Sequence, residues 1–408
     1  MNINAQRLWD HLNELGKVGM NNDGSVTRLA YSVDDEKAKE LIKKWMVEAE
    51  LKVEEDAVGN LIATYSSENG NNPPLLIGSH FDSVKEGGRF DGCLGVLSGL
   101  EVLQTLKEND WKPERDIKLI GFRDEEGNRF GYGMIGSHSV AGIMDESGLE
   151  SKDETGTTLN EVLIQNGYHP EKIQECRIEP IYAYLELHIE QASLLQQNHC
   201  SVGIVTGIAG LDRYTFTICG QSAHAGATPM TLRKDPVVAM SHWITRITEL
   251  AEQESSTVAT VGSVITTPGA CNVICDKVEF TLDIRSLFDE TRCQIMKQMN
   301  DYEIELAEQY HVKFSRIHDQ SLPAAACNGK IQDKIEQCCN KRGIKTMRLV
   351  SGAGHDCMNF RTVCPLGMIF VRSLNEGASH SLNEFSSKQD CTEGAQILLD
   401  LIMGSNVA

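Results

Sequence analysis

Histidine and carboxylate side chains follow short apolar runs at several places along the chain, as in LLIGSHFDS, YLELHIEQ and MIFVRSLNEGASHS. The candidate metal ligands are His80, Asp91, Glu126, His188 and His380. Imidazole and carboxylate ligands without thiolates suit zinc, manganese, cobalt or nickel. Because functional side chains gather at strand ends in open α/β sheets, the set predicts a metal-dependent hydrolase with its site at one edge of a sheet.

Two further acidic residues stand beside these candidates. Asp82 lies two residues after His80, on the same side of a strand end, where its carboxylate can hold the far nitrogen of the imidazole. Glu125 precedes Glu126, so one carboxylate can bind metal while the other acts as a general base toward water. Asp91 lies in the glycine-rich segment GGRFDGCLG, which would let its carboxylate approach two metals at once.

Each of these residues also has an ordinary structural interpretation. Asp82 and Asp91 could cap helices. Glu125 and Glu126 could be solvated charges in a loop, and His188 could be an exposed strand residue. The combination favours the metal site, because separate strand ends carry the same ligand chemistry.

The elements that must position these side chains alternate between strand and helix. PPLLIGS, IKLIGFR, YAYLELHIEQ and LGMIFVRS have the composition of strands, and GVLSGLEVLQTLKEN has helical spacing. This alternation predicts an α/β fold with a mostly parallel, mixed sheet and helices on both faces. Residues 1 to about 50 are expected to be helical, and residues 145–175 are expected to form a polar surface excursion.

A different order of elements begins near residue 210. Strand, helix, strand, strand, helix and strand follow one another, with the helices expected at about 231–253 and 289–309. This order is typical of a ferredoxin-like α+β domain. The sequence therefore predicts a first domain formed by residues 1–209 and 323–408, with residues 210–322 inserted into it.

Length and charge limit the possible partners. A chain of 408 residues is too long for one ordinary core, so two domains are expected. The formal net charge of −20 argues against nucleic acid or an anionic membrane as a partner. Thirteen cysteines without regular spacing, and no signal peptide or long apolar run, predict a cytoplasmic protein with reduced thiols.

The motifs resemble those of the M20-type dinuclear metallohydrolases. In chain order they are GSHFDSVKEGGRFDG, FRDEEGNRF, LELHIEQ, GQSAHAGATPM, SGAGHD and GASHS. The likeness covers nearly the whole chain and is greatest to the amidases that include N-carbamoyl-L-amino acid hydrolases, β-ureidopropionases and allantoate amidohydrolases. It implies two divalent metal ions per subunit, most simply Zn²⁺, with Mn²⁺, Co²⁺ or Ni²⁺ as alternatives.

The resemblance also implies a role for each candidate ligand. His80, Asp91 and His188 would hold one ion, and Asp91 would bridge to the second. Glu126 and His380 would complete the second site.

Further roles follow from the same resemblance. Glu125 would be the general base, and Asp82 would orient the ring of His80. The inserted domain would serve as a lid and as the dimer interface of a homodimer, and its His224 would stabilise the oxyanion in the partner subunit's site. The residues that would contact a small carboxylated ureido substrate are Asn272, Arg285, Gln191, Arg213 and His355.

The activity that the resemblance implies is hydrolysis of N-carbamoyl-L-amino acids to amino acid, carbon dioxide and ammonia. Allantoate amidohydrolase and 3-ureidopropionase are alternatives with the same chemistry. A peptidase or aminoacylase, and a catalytically silent binding protein, are further alternatives. Ala192 after HIEQ and the hairpin TTPGACNVI depart from the pattern of this branch, which leaves the identity of the substrate open.

Overall fold

The computed structural model describes residues 1–68, 70, 72–404 and 407. They divide into two compact units, the first comprising Met1–Thr206 with Ala326–Ala408 and the second Gly207–Ala325. The sequence placed the insert at 210–322, so the two divisions differ by three residues at each junction. Among the described residues, no helix is long and apolar enough to cross a membrane.

The helices and strands of both units are numbered along the chain. The helices are α1 (Ala5–Leu15), α2 (Val33–Glu48), α3 (Cys93–Glu108), α4 (Ile135–Ala141), α5 (Glu146–Leu149), α6 (Leu159–Gln165), α7 (Leu194–Gln197), α8 (Pro236–Glu252), α9 (Asp289–Tyr310), α10 (Gly329–Arg342) and α11 (Lys388–Met403). The strands are β1 (Lys52–Glu55), β2 (Leu61–Tyr65), β3 (Leu75–His80), β4 (Ile117–Phe122), β5 (Ala183–Ile189), β6 (Val202–Ile208), β7 (Gly210–Cys219), β8 (Ala223–His224), β9 (Thr257–Thr260), β10 (Val264–Thr267), β11 (Val273–Ile274), β12 (Lys277–Ser286), β13 (Lys313–Leu322), β14 (Ala325–Ala326), β15 (Thr346–Ser351) and β16 (Leu366–Val371). Short 3₁₀ helices span Pro170–Cys176, Met230–Leu232, Asp356–Phe360 and Asn375–Gly377.

The large sheet has the strand order β1-β2-β4-β3-β5-β16-β6-β14, with β15 paired to β6. Its four central strands, β4, β3, β5 and β16, run parallel to one another. On either side the direction reverses, because β2 pairs antiparallel with β4 and β6 pairs antiparallel with β16. The predicted α/β class with a mixed sheet is confirmed.

Every residue of β3, β5 and β16 is buried, as expected for parallel strands covered on both faces. Alternate side chains of these strands enter one core together with α1, α2, α3, α10 and α11. The strands therefore cannot shift along one another by one residue without moving apolar side chains out of this core. This fixed register holds the carboxyl ends of the parallel strands at one edge.

The expectation that residues 1 to about 50 are helical throughout is wrong. Residues 16–32 are not helical, because α1 ends at Leu15 and α2 begins after Ser32, whose side chain accepts the backbone N–H of Asp35. Between them the buried guanidinium of Arg28 donates to the carbonyl of Phe81 at 2.6 Å, which ties this segment to the end of β3. A helix continuing through this segment could not keep that contact.

Residues 145–175 lie mostly at the surface, as predicted, but they also contain helices and contribute to a core. They form α5, α6 and a 3₁₀ helix, and they bury Leu159, Val162 and Leu163 in a small apolar cluster. The apolar residues are few, but they meet Val58 and Phe130 from other parts of the unit. Burial of these few side chains is enough to fold a segment whose overall composition is polar.

The second unit contains an antiparallel sheet with the strand order β10-β12-β7-β13, in which β9 also pairs with β12. Alternate residues of β12 are buried in a core with α8 and α9. In this core the rings of Phe216 and Phe280 stack, and Trp243 packs tilted against Phe216 and edge-on against Phe280. The other face of this sheet carries polar side chains. Strands β8 and β11 form a separate two-stranded ribbon.

Helix α8 begins five residues later than the sequence predicted. Asp235 caps it by accepting the backbone N–H of Val237, and Pro236 occupies its first turn. Proline fits the first turn because the missing N–H has no partner there. The preceding Met230–Leu232 forms a separate 3₁₀ turn.

Candidate metal centre

The predicted ligands meet at the carboxyl ends of the parallel strands. His80 is the last residue of β3, His188 is the last residue but one of β5, and Glu126 follows β4. His380 lies in the loop after β16. Asp91 immediately precedes Gly92, the N-cap residue of α3. The five side chains therefore converge although they are distant in sequence.

One oxygen of Asp91 faces two buried imidazoles. Its Oδ1 lies 3.1 Å from Nε2 of His188 and 3.5 Å from Nε2 of His80. The Nδ1 atom of His188 lies 2.9 Å from the carbonyl oxygen of Ile189. A proton on that Nδ1 makes Nε2 the acceptor nitrogen, and this Nε2 accepts the backbone N–H of Gly92 at 3.2 Å. A cation bound by His188 would take the place of that hydrogen bond.

The other oxygen of Asp91 faces a second group. Its Oδ2 lies 3.2 Å from Nε2 of His380, and that nitrogen lies 3.5 Å from Oε1 of Glu126. In each of the two groups, one ligand atom per residue lies within 4.8 Å of the others. The first group is buried, whereas the side chain of His380 is 49% exposed. Asp91 thus offers a separate oxygen to each group.

The carboxylate of Asp82 binds the backbone N–H groups of Glu125 and Glu126. Its Oδ1 accepts the N–H of Glu125 at 3.1 Å, and its Oδ2 accepts the N–H of Glu126 at 3.2 Å. Its carbonyl oxygen lies 3.2 Å from Nδ1 of His80, and its Oδ1 lies 3.5 Å from the same nitrogen. One aspartate therefore orients both an imidazole and the Glu125–Glu126 turn.

The electrostatics of this cluster fit a pair of divalent cations. Burial, together with Glu126 and Asp356, raises the pKa of Glu125 well above its ordinary value. Burial and the charge of Asp91 raise the pKa of Glu126 to about 7, and its Oε1 is buried without a hydrogen-bond partner. Buried carboxylates with free lone pairs are costly unless a cation compensates them. Oxygen and imidazole donors in this arrangement suit zinc, manganese, cobalt or nickel.

Asp91 behaves differently from the other two carboxylates. Burial opposes its ionisation, but hydrogen bonds with His188, His380 and His80 hold its pKa well below the ordinary range. Asp91 therefore favours its ionised form, which suits a carboxylate that would be shared by two cations.

Gln191 and His355 lie in the first unit beside the ligands. Gln191 donates from Nε2 to Oδ2 of Asp91 at 2.8 Å, and its Oε1 is buried without a partner. His355 is buried, packs edge-on against the ring of His188 at a centroid distance of 4.4 Å, and lies 2.8 Å from Oγ of Ser351. Burial and the charge of His188 lower the pKa of His355 well below its ordinary value, so this ring is neutral.

His224 and Asn272 are neighbours in the β8–β11 ribbon of the second unit. The exposed ring of His224 accepts the N–H groups of Gly226 and Ala227 at Nδ1, each at 3.1 Å. Its proton must then lie on Nε2, which can act as a hydrogen-bond donor. The carbonyl oxygen of Asn272 accepts the N–H of Ala225, which follows His224.

Arg213 and Arg285 share one carboxylate on the open face of the second unit's sheet. Arg285 donates to both oxygens of Asp283, from Nε at 2.8 Å and from Nη2 at 3.1 Å. Arg213 donates from Nε to Oδ2 of Asp283 at 2.9 Å. A substrate carboxylate bound by Arg285 would therefore have to share the guanidinium with Asp283.

Comparison with known proteins decides the family. Residues 76–404 match the sequence profile of Peptidase family M20/M25/M40. The chain belongs to this family. The match spans both compact units and all five candidate ligands.

Relatives of this M20 family member are similar over most of their lengths. An N-carbamoyl-L-amino acid amidohydrolase of Geobacillus stearothermophilus is 43% identical over 398 residues, covering 97% of each chain. Allantoate deiminase 1 of Glycine max is 32% identical over 407 residues, covering 91% of this chain and 84% of its own. The crystal structure of a hydantoinase/carbamoylase family amidase from Burkholderia multivorans has a TM-score of 0.93 at 32% identity, covering 100% of this chain and 99% of that one.

Two acidic residues near the candidate sites of this M20 chain were not found from the sequence. Glu384 accepts the backbone N–H of Asp91, and Asp283 binds the two arginines of the second unit. Asp283 stands two residues before Arg285 on β12, so alternation along the strand could have placed them on one face. Glu384 has no comparable signal, because its partners are distant in sequence.

Gly92 joins Asp91 to α3 through a strained turn in this M20 chain. Its φ of 63° and ψ of −50° accompany a 2.6 Å bond from the N–H of Cys93 to the carbonyl of Asp91, the geometry of a γ-turn. A Cβ at this position would lie 2.5 Å from the ring of His80. Side-chain-bearing residues are therefore excluded by the backbone conformation and by the imidazole.

Gly92→Ala is expected to lower the free energy of unfolding by about 1–3 kcal/mol from the backbone strain alone, with further loss from displacement of His80. Urea denaturation in the presence of EDTA would measure this effect without a contribution from bound metal. Gly329→Ala is the matched control, because a Cβ at Gly329 meets no atom within 4 Å. A stability equal to that of the wild type would contradict the γ-turn at Gly92.

Proposed function

We propose that this chain hydrolyses N-carbamoyl-L-amino acids at the ureido C–N bond, releasing the amino acid, carbon dioxide and ammonia. The observation that carries the proposal is the placement of Asp91 between two ligand groups, with the carboxylate of Glu125 beside them. The full-length similarity to the amidohydrolase of Geobacillus stearothermophilus supports this substrate class. The reaction is metal-dependent hydrolysis of a C–N bond.

His80, Asp91 and His188 would hold the first ion, and Asp91, Glu126 and His380 would hold the second. Divalent ions bound there supply Lewis acidity and positive charge toward a carbonyl oxygen and a water molecule. Zn²⁺ suits this donor set most simply, and Mn²⁺, Co²⁺ and Ni²⁺ remain alternatives.

Glu125 would move the proton that the reaction requires. Its Oε2 lies 3.8 Å from Nε2 of His80, and Asp82 fixes its backbone N–H. The carboxylate accepts a proton from the attacking water as the oxygen bonds to the ureido carbonyl carbon. It returns this proton to the amino acid nitrogen as the C–N bond breaks, and the carbamate that leaves decomposes to carbon dioxide and ammonia.

Asp82 and Gln191 would position the reacting groups rather than react. Asp82 sets the direction of both Glu125 and His80 through the bonds described above. Gln191 donates to Asp91 and keeps its own buried oxygen unpaired, so this oxygen is a free acceptor for a ureido N–H. His355 packs edge-on against the ring of His188 and would help to hold that imidazole in position.

We assign the second unit the roles of lid and dimer interface in a cytoplasmic homodimer, with sequence resemblance as the support. The Nε2–H of His224 is a suitable donor to the oxyanion of the tetrahedral intermediate in the partner subunit's site. Asn272 and Arg285 would bind the substrate carboxylate, with Arg213 as an additional contact. Arginine can form paired hydrogen bonds to a carboxylate, as Arg285 does with Asp283.

A substrate panel tests the proposal. Metal-stripped protein reloaded separately with Zn²⁺, Mn²⁺, Co²⁺ or Ni²⁺ is offered N-carbamoyl-L-amino acids, 3-ureidopropionate, allantoate, N-acetyl amino acids and dipeptides. The expected result is metal-dependent release of amine and ammonia that is fastest from N-carbamoyl-L-amino acids. Metal-stripped protein without added ion is the control.

Other outcomes of the panel have definite meanings. Preference for allantoate would keep the chemistry and move the substrate to the class named for the Glycine max relative. Turnover confined to N-acetyl amino acids or dipeptides would indicate ordinary amide hydrolysis. Absence of turnover with all four ions would indicate a binding protein rather than a hydrolase.

A further inference from the structure

We propose that Glu384 is a positioning residue for Asp91, the ligand shared by the two ion sites. The proposal rests on the two-ion centre of the proposed function. Glu384 lies in the loop after β16, and its carboxylate fixes the backbone of the segment that contains Asp91. Glu384 acts through the position of its Oε1 atom, which accepts backbone N–H groups of the segment that carries Asp91.

The carboxylate of Glu384 is buried against the segment that carries Asp91. Its Oε1 accepts the backbone N–H of Phe90 at 2.8 Å and that of Asp91 at 3.1 Å. Two donors on one carboxylate oxygen fix the orientation of two successive peptide groups. The Cα–Cβ direction of Asp91 is thereby set from outside its own loop.

A second connection runs through Ser379. Its hydroxyl lies 3.2 Å from Oδ2 of Asp91 and 3.3 Å from Oε2 of Glu384. Ser379 directly precedes His380, the ligand that faces the same Oδ2. The segment 379–384 therefore holds the main chain and the side chain of Asp91 and also supplies a ligand of the second ion.

The space for Glu384 is made by a glycine. A Cβ at Gly88 would lie 2.1 Å from Cδ and Oε1 of Glu384, so no larger residue fits while the carboxylate keeps its place. Gly88 does not have a positive φ. Its replacement by alanine would therefore displace Glu384 by collision, without a backbone penalty of its own.

Hydrogen bonds that orient metal ligands typically contribute about 10–100-fold to metal affinity. Glutamine at position 384 keeps an acceptor oxygen at the same distance from the main chain and loses the charge. Aspartate keeps the charge and withdraws the oxygen by one methylene, out of reach of Phe90 and Asp91. The two substitutions therefore separate position from charge.

The test is titration of metal-stripped full-length protein with Co²⁺, followed by visible absorption, which reports both affinity and coordination geometry. We expect Glu384→Asp, Glu384→Ala and Gly88→Ala to weaken Co²⁺ binding about 10–100-fold and to alter the absorption bands. Glu384→Gln should stay within about threefold of the wild type. Gly329→Ala controls for the glycine change, and Asp116→Asn controls for a carboxylate that accepts a backbone N–H elsewhere, from Ser67.

Each outcome decides the matter. Wild-type Co²⁺ affinity and absorption in Glu384→Asp would overturn the proposal. If Glu384→Gln binds Co²⁺ more weakly while Glu384→Asp binds it as the wild type does, the charge of Glu384 and not its position would be responsible. If Glu384→Ala does not fold, the glutamine and aspartate pair carries the decision. A wild-type protein that binds no Co²⁺ would instead overturn the two-ion centre, and with it the proposed function.

Discussion

Glu125→Gln is expected to lower kcat for N-carbamoyl amino acids by about 10²–10⁴-fold while the protein keeps its metal. Glutamine has nearly the shape of glutamate, so the turn held by Asp82 should persist through the same N–H bond. It cannot accept a proton from water or return one to the leaving nitrogen. Steady-state kinetics and the metal content of the same preparation would measure both quantities.

Glu101→Gln provides the control for this substitution. Glu101 is also a buried glutamate of the first unit, but it pairs with Arg7 rather than facing the ligands. Its replacement should leave kcat unchanged. Wild-type turnover in Glu125→Gln would show that Glu125 takes no part in the reaction. Loss of metal from the variant would show that Glu125 is a metal ligand.

Asp91→Asn is expected to reduce the bound metal from two ions to at most one per chain and to lower turnover by about 10³-fold. The two oxygens of Asp91 face different imidazoles, and asparagine has one oxygen to offer. Loss of one cation removes several kcal/mol of charge stabilisation from the transition state, and each 1.36 kcal/mol corresponds to tenfold in rate.

Metal analysis after dialysis, together with kinetics, would test this expectation. Asp116→Asn is the matched control, because Asp116 is engaged with Ser67 and not with any ligand. Two tightly bound ions in Asp91→Asn, with unimpaired turnover, would show that Asp91 does not bridge. One ion with unimpaired turnover would show that a single ion suffices.

The α/β class can be predicted from the sequence because it depends on local pattern, and the same pattern identifies candidate ligands that the structure brings together. A buried parallel strand has a continuous apolar sequence, and a polar residue that follows it indicates the carboxyl edge of the sheet. Strand direction is not encoded in this way. The sheet was therefore expected to be more parallel than it is, and the antiparallel pairing of β2 with β4 and of β6 with β16 appeared only in the structure.

The features that could not be predicted depend on contacts between distant parts of the chain. Glu384 and Phe90 are separated by 294 residues, so no periodicity connects them. The folding of residues 159–163 likewise depends on apolar side chains supplied by other segments, such as Phe130. The burial of Arg28 depends on a distant partner in the same way, because arginine is rarely buried and the carbonyl that it binds belongs to Phe81.

The position of β16 in the sheet affects how the enzyme is made. This strand lies between β5 and β6, yet Leu366–Val371 follows both of them in the chain and is synthesised after them. Until it emerges from the ribosome, β5 has an open edge beside His188, and His380 has not yet been translated. A polypeptide truncated before residue 366 would lack both an interior strand of the sheet and the candidate ligand His380, so we expect it to be inactive.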